Sequence, residues 1–257
     1  MFPIRDDNPH FLTPYATFGL IAANVLMWIF VQGLGTEPAL SSSICRLGFI
    51  PAELLQLVPA GTSVPLGPDT VCTLGGTSWY TPLTTMFMHG GWMHISGNKR
   101  FLWIFGNNVE DSMGHVRFVV FYLLCGLAAA ALQAVASPAS TLPMVGASGA
   151  IGGVMGAYVV LYPRVRVHML VFLGFYVTTF AVPAYFMIGY WFVIQILSGV
   201  LSIGADGGGV AFWAHVGGFV AGALLVFVFR NPRLLAQHPY YGWNRASPEQ
   251  SWQRVRR

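Results

Sequence analysis

The sequence predicts an all-α, polytopic membrane protein built as a bundle of six transmembrane helices. Of its 257 residues, 55% are hydrophobic and only 9% are charged, and the mean hydropathy is +0.61. A soluble domain carries about 25% charged residues. The apolar residues are gathered into segments of about 20 residues, the length that crosses the hydrocarbon core of a bilayer. Because a lone span must satisfy its own backbone hydrogen bonds in lipid, each segment is predicted to be helical.

The predicted spans divide the chain into a membrane domain and two tails. The spans lie at residues 15–33, 91–109, 117–136, 146–163, 183–203 and 210–230. We predict a membrane domain over residues 15–232, a cytoplasmic N-terminal tail over 1–14 and a basic, loosely ordered cytoplasmic tail over 233–257. The first apolar run is too long for a signal peptide and lacks a small-residue cleavage site, so we expect it to stay in the membrane.

The distribution of basic residues predicts a cytoplasmic N-terminus. With that orientation nearly all arginines are cytoplasmic, Arg46 alone lies outside, and Lys99 and Arg100 fall within a span, as the positive-inside rule favours. The net charge of +4 does not indicate a nucleic-acid partner, because the arginines lie beside the spans and in the tail. The cytoplasmic segment 167–182 is apolar but broken by Gly174, so we expect an interfacial or re-entrant segment.

The three cysteines fall on two sides of this topology. Cys45 and Cys72 lie in the long external segment 34–80, where an oxidising compartment permits a disulfide or two unpaired thiols. Cys125 falls within a span.

Polar side chains interrupt three of the spans near the same depth. Ser148 opens the fourth span and His215 lies near the start of the sixth, both flanked by glycine and alanine. His94 and Asn98 lie near the start of the second span. These spans all enter from the outer face, so we expect the four residues in the outer third of the bilayer. A polar side chain at this depth usually faces the protein interior or an aqueous cavity.

Stripes of small residues predict which helices meet. The fourth span carries Ser148, Gly152 and Gly156, and the sixth carries His215, Gly218 and Gly222. Glycine stripes let transmembrane backbones pack closely, which would bring the Ser148 hydroxyl within reach of the His215 ring. A hydroxyl beside an imidazole is a nucleophile with its general base. The alternative is that the glycines serve packing alone and the serine bonds to its own helix.

His94 and Asn98 are spaced i, i+4 and therefore share one helix face. Both can donate hydrogen bonds. With the Ser148 backbone N–H at a helix start, they would form an oxyanion hole, which the helix dipole supports. The alternative is an interhelical hydrogen bond that only holds the bundle.

The motifs that carry these residues resemble the rhomboid family of intramembrane serine proteases. The matching segments are residues 89–98, 101–106, 109–111, 146–152 and 214–222, within a resemblance that extends over 15–230. It implies a bundle of the rhomboid type and a catalytic dyad of Ser148 and His215 with no third acid. It also implies that His94 and Asn98 bind the oxyanion.

The reaction that the resemblance implies is hydrolysis of a peptide bond in or near the transmembrane segment of a single-span membrane protein. It needs no metal and no organic cofactor. The remaining partner is the lipid bilayer, and we expect a multi-pass protein of a bacterial plasma membrane.

One feature departs from the family pattern. Lys99 and Arg100 directly follow Asn98, where the family carries apolar residues. A cation at the centre of a span costs about 2.5–3.5 kcal/mol on insertion scales. We expect the two side chains to snorkel, to face the aqueous cavity or to meet an acidic partner. If they crowd Asn98, oxyanion binding is weakened.

The remaining polar residues are assigned structural or solvated positions. We expect Glu110 and Asp111 to form a structural charge cluster near Arg117, and His89 to lie on the rim of the site. The other histidines are expected to be solvated: His10, His115, His168 and His238.

Other functions fit the sequence less well. A zinc protease is disfavoured because His-Glu-x-x-His is absent, and the predicted spans hold no pair of acids for an aspartyl protease. The residues around Ser148 do not match the Gly-x-Ser-x-Gly elbow of soluble hydrolases. A transporter is disfavoured by the lack of an internal repeat. The main alternative is a weak or inactive rhomboid-like protein that binds transmembrane clients, although such relatives typically lack the serine or the histidine.

Overall fold

The computed structural model describes residues 2–67, 70–75, 79–174, 176–202, 211–236 and 238–241, and it is mostly helical. Its α-helices are α1 Tyr15–Phe30, α2 Ala39–Leu47, α3 Pro51–Leu54, α4 Thr81–Thr84, α5 Trp92–Met113, α6 His115–Ala136, α7 Ser148–Leu161, α8 Ala184–Leu201, α9 Phe212–Phe229 and α10 Pro232–Leu235. Its strands are β1 Phe2–Asp6, β2 Ser63–Gly67, β3 Thr70–Thr73, β4 Arg166–Leu173 and β5 Tyr176–Pro183.

Each predicted span coincides with one of the longer helices. In the part of the chain that the structure describes, α6, α8 and α9 are long and apolar enough to cross a membrane. Helices α1 and α7 are apolar but shorter. Helix α5 is 22 residues long but carries Lys99, Arg100, Glu110 and Asp111. The structure is therefore that of a polytopic helical membrane protein.

The prediction of an all-α fold is wrong in detail, because the chain also forms two small antiparallel sheets. Strands β2 and β3 pair in the external segment, and a second sheet has the order β1-β4-β5. Strands β4 and β5 form a hairpin within the segment for which we expected interfacial or re-entrant structure. Along β4, Val167 and Met169 are buried while Arg166 is exposed, which is the two-residue period of a strand with one face on the core.

The start of the chain belongs to this sheet and runs along α5. Strand β1 pairs with β4, so residues of the predicted tail are ordered. Asn108 of α5 donates to the carbonyls of Asn8 and Pro9. The Tyr158 hydroxyl of α7 donates to Asp6, and burial raises the pKa of Asp6 from 3.8 to about 7. The start of the chain is thus tied to both α5 and α7.

Glu110 and Asp111 have the structural role expected of them, but they bond the start of α1 and the segment just before it. Glu110 accepts the backbone N–H groups of Ala16 and Thr17, at 2.9 and 2.8 Å. Asp111 accepts the N–H groups of Phe11 and Leu12. A helix start leaves its first N–H groups without intrahelical partners, and carboxylates satisfy them and complement the helix dipole.

Four histidine predictions are wrong. His115 and His168, expected to be solvated, are partly buried and bond the carboxylates of Glu110 and Asp7. His238 is 5% exposed and packs against the rings of Phe11 and Tyr162. His89, expected on a rim, is fully buried, because Gln32 bonds both its backbone N–H and its carbonyl and holds it against the bundle.

The structure shows which cysteines pair. Cys45 of α2 and Cys72 of β3 form a disulfide, with Cα atoms 5.5 Å apart. Cys72 lies in a small apolar cluster with Ile50, Val64 and Leu74. Cys125 is a buried free thiol in α6, as predicted. The disulfide ties the β2–β3 hairpin to α2.

Helix α7 is the centre of the bundle, with 11 of its 14 residues buried. It packs backbone to backbone on α9. A Cβ atom added at Gly218 would lie 1.9 Å from the Gly149 carbonyl oxygen, and one at Gly222 would lie 1.9 Å from the Gly153 carbonyl oxygen. A Cβ added at Gly156 would lie 2.2 Å from the Phe219 carbonyl oxygen. The glycine stripes therefore leave no room for a methyl group between the two helices.

We expect Gly222→Ala to lower the melting temperature sharply and to reduce folded yield, because the helices must separate by more than an ångström. Overpacking of this kind costs about 1–3 kcal/mol or more. The matched control is Gly189→Ala on α8, where an added Cβ would have nothing within 4 Å. Equal thermal stability of the two variants in detergent would contradict the packing.

Candidate active site

The start of α7 and the second turn of α9 bring a hydroxyl and an imidazole together. The Oγ atom of Ser148 lies 2.7 Å from Nε2 of His215. His215 is 9% exposed and Ser148 is the first residue of its helix. The hydrogen bond follows from the close packing of α7 on α9, since both residues lie on the facing stripes.

The turn before Ser148 holds the helix start in place. Gly146 has φ +130°, a conformation that favours glycine, and its N–H donates to the Thr85 carbonyl at 3.0 Å. A Cβ at Gly146 would lie 2.7 Å from His94 Nε2 and 3.4 Å from Ser148 Oγ. Glycine at this position keeps open the space between the His94 ring and the serine.

His94 presents one defined nitrogen to that space. Its Nδ1 accepts a hydrogen bond from the Gly90 backbone N–H at 3.2 Å. A neutral imidazole that accepts at Nδ1 carries its proton on Nε2. The Nε2–H of His94 therefore points toward Gly146 and Ser148 as a donor.

Asn98 lies one turn further along α5 and is 8% exposed. Its Nδ2 is buried and has no hydrogen-bond partner within the described part of the chain. It is not among the described residues that line the cavity at Ser148. The structure thus brings three of the four predicted site residues to one cavity, and the fourth, Asn98, has a buried amide donor without a partner outside that lining.

The cavity has a volume of about 410 Å³. Four polar side chains line it, those of Thr85, His94, Ser148 and His215, and the rest of the lining is apolar or small residues such as Met86, Ala129 and Pro143. A few convergent polar groups in an apolar cavity are typical of an enzyme site. Among the described residues, no group of three or more His, Cys, Asp or Glu side chains could hold a metal ion.

One residue that sequence reasoning missed contacts the imidazole from the other side. Gln195 of α8 places Oε1 2.7 Å from Nδ1 of His215. The available signal was a lone amide within an otherwise apolar span, which usually has a bonding partner inside the bundle.

Comparison with known proteins places this constellation in a family. The family model of the rhomboid domain matches residues 76–232, more than half of the chain, and that range includes all four predicted site residues. The chain belongs to the rhomboid family.

Several named rhomboid proteins are similar to it. Rhomboid-like protease 5 of Toxoplasma gondii is 34% identical over 148 residues, which cover 55% of this chain and 15% of that protein. Rhomboid protease GluP of Bacillus subtilis is 36% identical over 105 residues, covering 40% and 20%. RHOMBOID-like protein 1 of Arabidopsis thaliana is 30% identical over 227 residues, covering 84% and 53%. The chain thus spans well under two thirds of the length of these relatives.

The two cations that depart from the rhomboid pattern have different surroundings. Arg100 turns to the N-terminal strand and donates to the carbonyls of Pro3 and Ile4, at 3.1 and 2.9 Å. The Nζ atom of Lys99 is buried and has no hydrogen-bond partner in the described residues. Arg100 therefore anchors β1, whereas Lys99 is a buried donor on the helix that carries His94 and Asn98.

We expect Lys99→Met to raise the melting temperature, because a buried donor without a partner costs about 1–3 kcal/mol and methionine has a similar length. The matched control is the neighbouring cation: Arg100→Met removes two hydrogen bonds and should lower stability by about 1 kcal/mol. Thermal unfolding in detergent measures both. A lower melting temperature for Lys99→Met would show that the amine has a stabilising partner.

Proposed function

We propose that this rhomboid protein is an intramembrane serine endopeptidase that cleaves transmembrane segments of single-span membrane proteins. The observation that carries the proposal is the hydrogen bond between Ser148 Oγ and His215 Nε2 at the wall of a cavity. Relatives named as proteases support it.

In this proposal Ser148 is the nucleophile and His215 is the general base. The hydroxyl proton passes to Nε2 of His215 as Oγ attacks the scissile carbonyl carbon. The imidazolium then delivers that proton to the leaving amine nitrogen, and the C–N bond breaks to leave an acyl-enzyme. Water then gives a proton to the same Nε2 as it attacks the ester carbonyl, and the imidazolium returns that proton to Oγ as the acyl C–O bond breaks and releases Ser148. No step requires a metal or an organic cofactor.

The oxyanion is proposed to form beside His94. The Nε2–H donor of His94 points toward the space next to Ser148, and the backbone N–H at the start of α7 offers a second donor aligned with the helix dipole. The free Nδ2 of Asn98, one turn further along α5, is proposed as a third donor. All of these donors are uncharged while His94 is neutral, which suits a site within the membrane.

The substrate is proposed to reach the cavity in an extended form. A carbonyl within a helix is hydrogen-bonded and shielded by its own side chains, so the cleaved segment must unwind before Ser148 can attack it. Substrates with small residues and weak helices near the scissile bond should therefore be preferred.

The proposed placement in the membrane has six spans, α1 and α5 to α9, with a cytoplasmic N-terminus. The Cys45–Cys72 disulfide supports an oxidising compartment on the side of the external segment. A bacterial plasma membrane fits this arrangement.

The first test compares the wild type with Ser148→Ala on a labelled single-span substrate in liposomes, with chelator present. We expect cleavage by the wild type and none by the variant, with equal melting temperatures because alanine fits the small-residue stripe. A serine-reactive fluorophosphonate should label the wild type alone. If neither protein cleaves or labels but both bind a transmembrane segment, the protein is a client-binding rhomboid homologue.

A second test concerns the oxyanion donors. We expect His94→Ala and Asn98→Ala each to lower kcat by about 10²–10³-fold, the usual cost of removing one oxyanion donor. Ser96→Ala is the matched control, since Ser96 lies between them on α5 but is exposed. Unchanged kcat in both variants would rule out their role.

A further inference from the structure

The catalytic histidine has a second hydrogen bond, to a side chain on a third helix. Gln195 of α8 is 7% exposed, and its Oε1 lies 2.7 Å from Nδ1 of His215. The opposite ring nitrogen, Nε2, lies 2.7 Å from Ser148 Oγ. Both nitrogens of the imidazole are therefore engaged, by partners from α8 and α7.

The orientation of the Gln195 amide follows from its own environment. Its Nε2 lies 3.3 Å from the backbone carbonyl oxygen of Trp191, one turn earlier on α8. A carbonyl oxygen can only accept a hydrogen bond, so the amide NH2 must face Trp191. The amide oxygen is thereby left facing His215.

The amide oxygen in turn determines the tautomer of the imidazole. Because Oε1 can only accept, Nδ1 must carry the ring proton, and Nε2 is left with a lone pair toward the Ser148 hydroxyl. The other tautomer would set two lone pairs against each other at Gln195 in a buried site, where unsatisfied polar atoms are costly. The chain of donors runs from Ser148 through His215 and Gln195 to the Trp191 carbonyl.

Trp191 also restrains the ring. Its indole centroid lies 5.7 Å from that of His215, at an interplanar angle of 37°. Trp191 and Gln195 are spaced i, i+4 and share one face of α8. One turn of α8 therefore makes two contacts with the imidazole: the Trp191 indole packs near the ring, and Gln195 accepts from its Nδ1–H.

We infer that Gln195 is a positioning residue of the active site. It is the uncharged third member of a hydrogen-bonded chain that runs from Ser148 through His215 to Gln195. The inference rests on the proposed function. Gln195 holds Nε2 unprotonated before attack, and its amide dipole accepts from Nδ1–H while the ring is an imidazolium. Protons move only among Oγ, Nε2, the leaving nitrogen and the attacking water, so Gln195 itself neither gains nor loses one.

An amide suits this position better than the carboxylate of soluble triads. A carboxylate orients the histidine in the same way, but a buried carboxylate carries a desolvation cost that must be repaid by good partners. Gln195 provides the acceptor without adding a charge to the bundle.

The test compares Gln195→Met, which keeps the length but removes the acceptor, with Gln195→Glu, which keeps an acceptor oxygen. We expect Gln195→Met to lower kcat and the rate of fluorophosphonate labelling by about 10–100-fold with KM within twofold, since the base loses its tautomer and orientation. Gln195→Glu should restore labelling to within a few-fold of wild type.

The matched control is Gln133→Met. Gln133 accepts from the Ala214 N–H, next to His215, but not from the ring. The kcat and labelling rate of this variant should therefore stay within threefold of wild type.

Rates for Gln195→Met within threefold of wild type would overturn the inference, as would equal losses in the Met and Glu variants at equal melting temperature. A thermal double-mutant cycle of Gln195→Met with His215→Leu tests the contact without catalysis. The loss of melting temperature in the double variant should be smaller than the sum of the single losses, and additive losses would overturn the contact. If the wild type neither labels nor cleaves, the proposed function fails, and this cycle still decides the contact.

Discussion

The structure depends on the contact between two helix backbones, those of α7 and α9. Glycines on both helices remove the side chains that would keep them apart, and the carbonyls of Gly149 and Gly153 lie where a Cβ of Gly218 or Gly222 would be. In lipid there is little hydrophobic force between helices, so association relies on close packing of this kind. The same approach brings Ser148 to His215, so the proposed dyad depends on the packing of the same two helices.

The distribution of charge follows from the membrane setting. The polar side chains of the cavity are hydroxyls and imidazoles, and an amide lies behind His215; such groups can be buried with hydrogen-bond partners at modest cost. The carboxylates of Glu110 and Asp111 lie instead at the far end of α5, where four backbone N–H groups surround them. Lys99 is the exception near the site, a buried amine with no hydrogen-bond partner in the described residues.

Long apolar segments were predictable because their lengths and compositions reflect a bilayer, which acts on each segment separately. The β1-β4-β5 sheet was not predicted, although the burial of Val167 and Met169 has the two-residue period of a strand. Its strands come from residues 2–6 and 166–183, and the pairing of segments this distant depends on the helices that lie between them. Burial of His238 and His89 was missed for the same reason, since partners from remote segments cover them.

The sequence by itself determined the membrane character, the positions of the long helices and the residues able to carry a serine–histidine chemistry, because hydropathy and glycine spacing are local properties. Only the tertiary structure decided which side chains share a hydrogen bond. Gln195 is 20 residues from His215 and 47 from Ser148 along the chain, and no local pattern links an amide on α8 to an imidazole on α9. Their contact exists because packing fixes the rotation of each helix about its axis, and one residue of rotation, about 100°, would remove it.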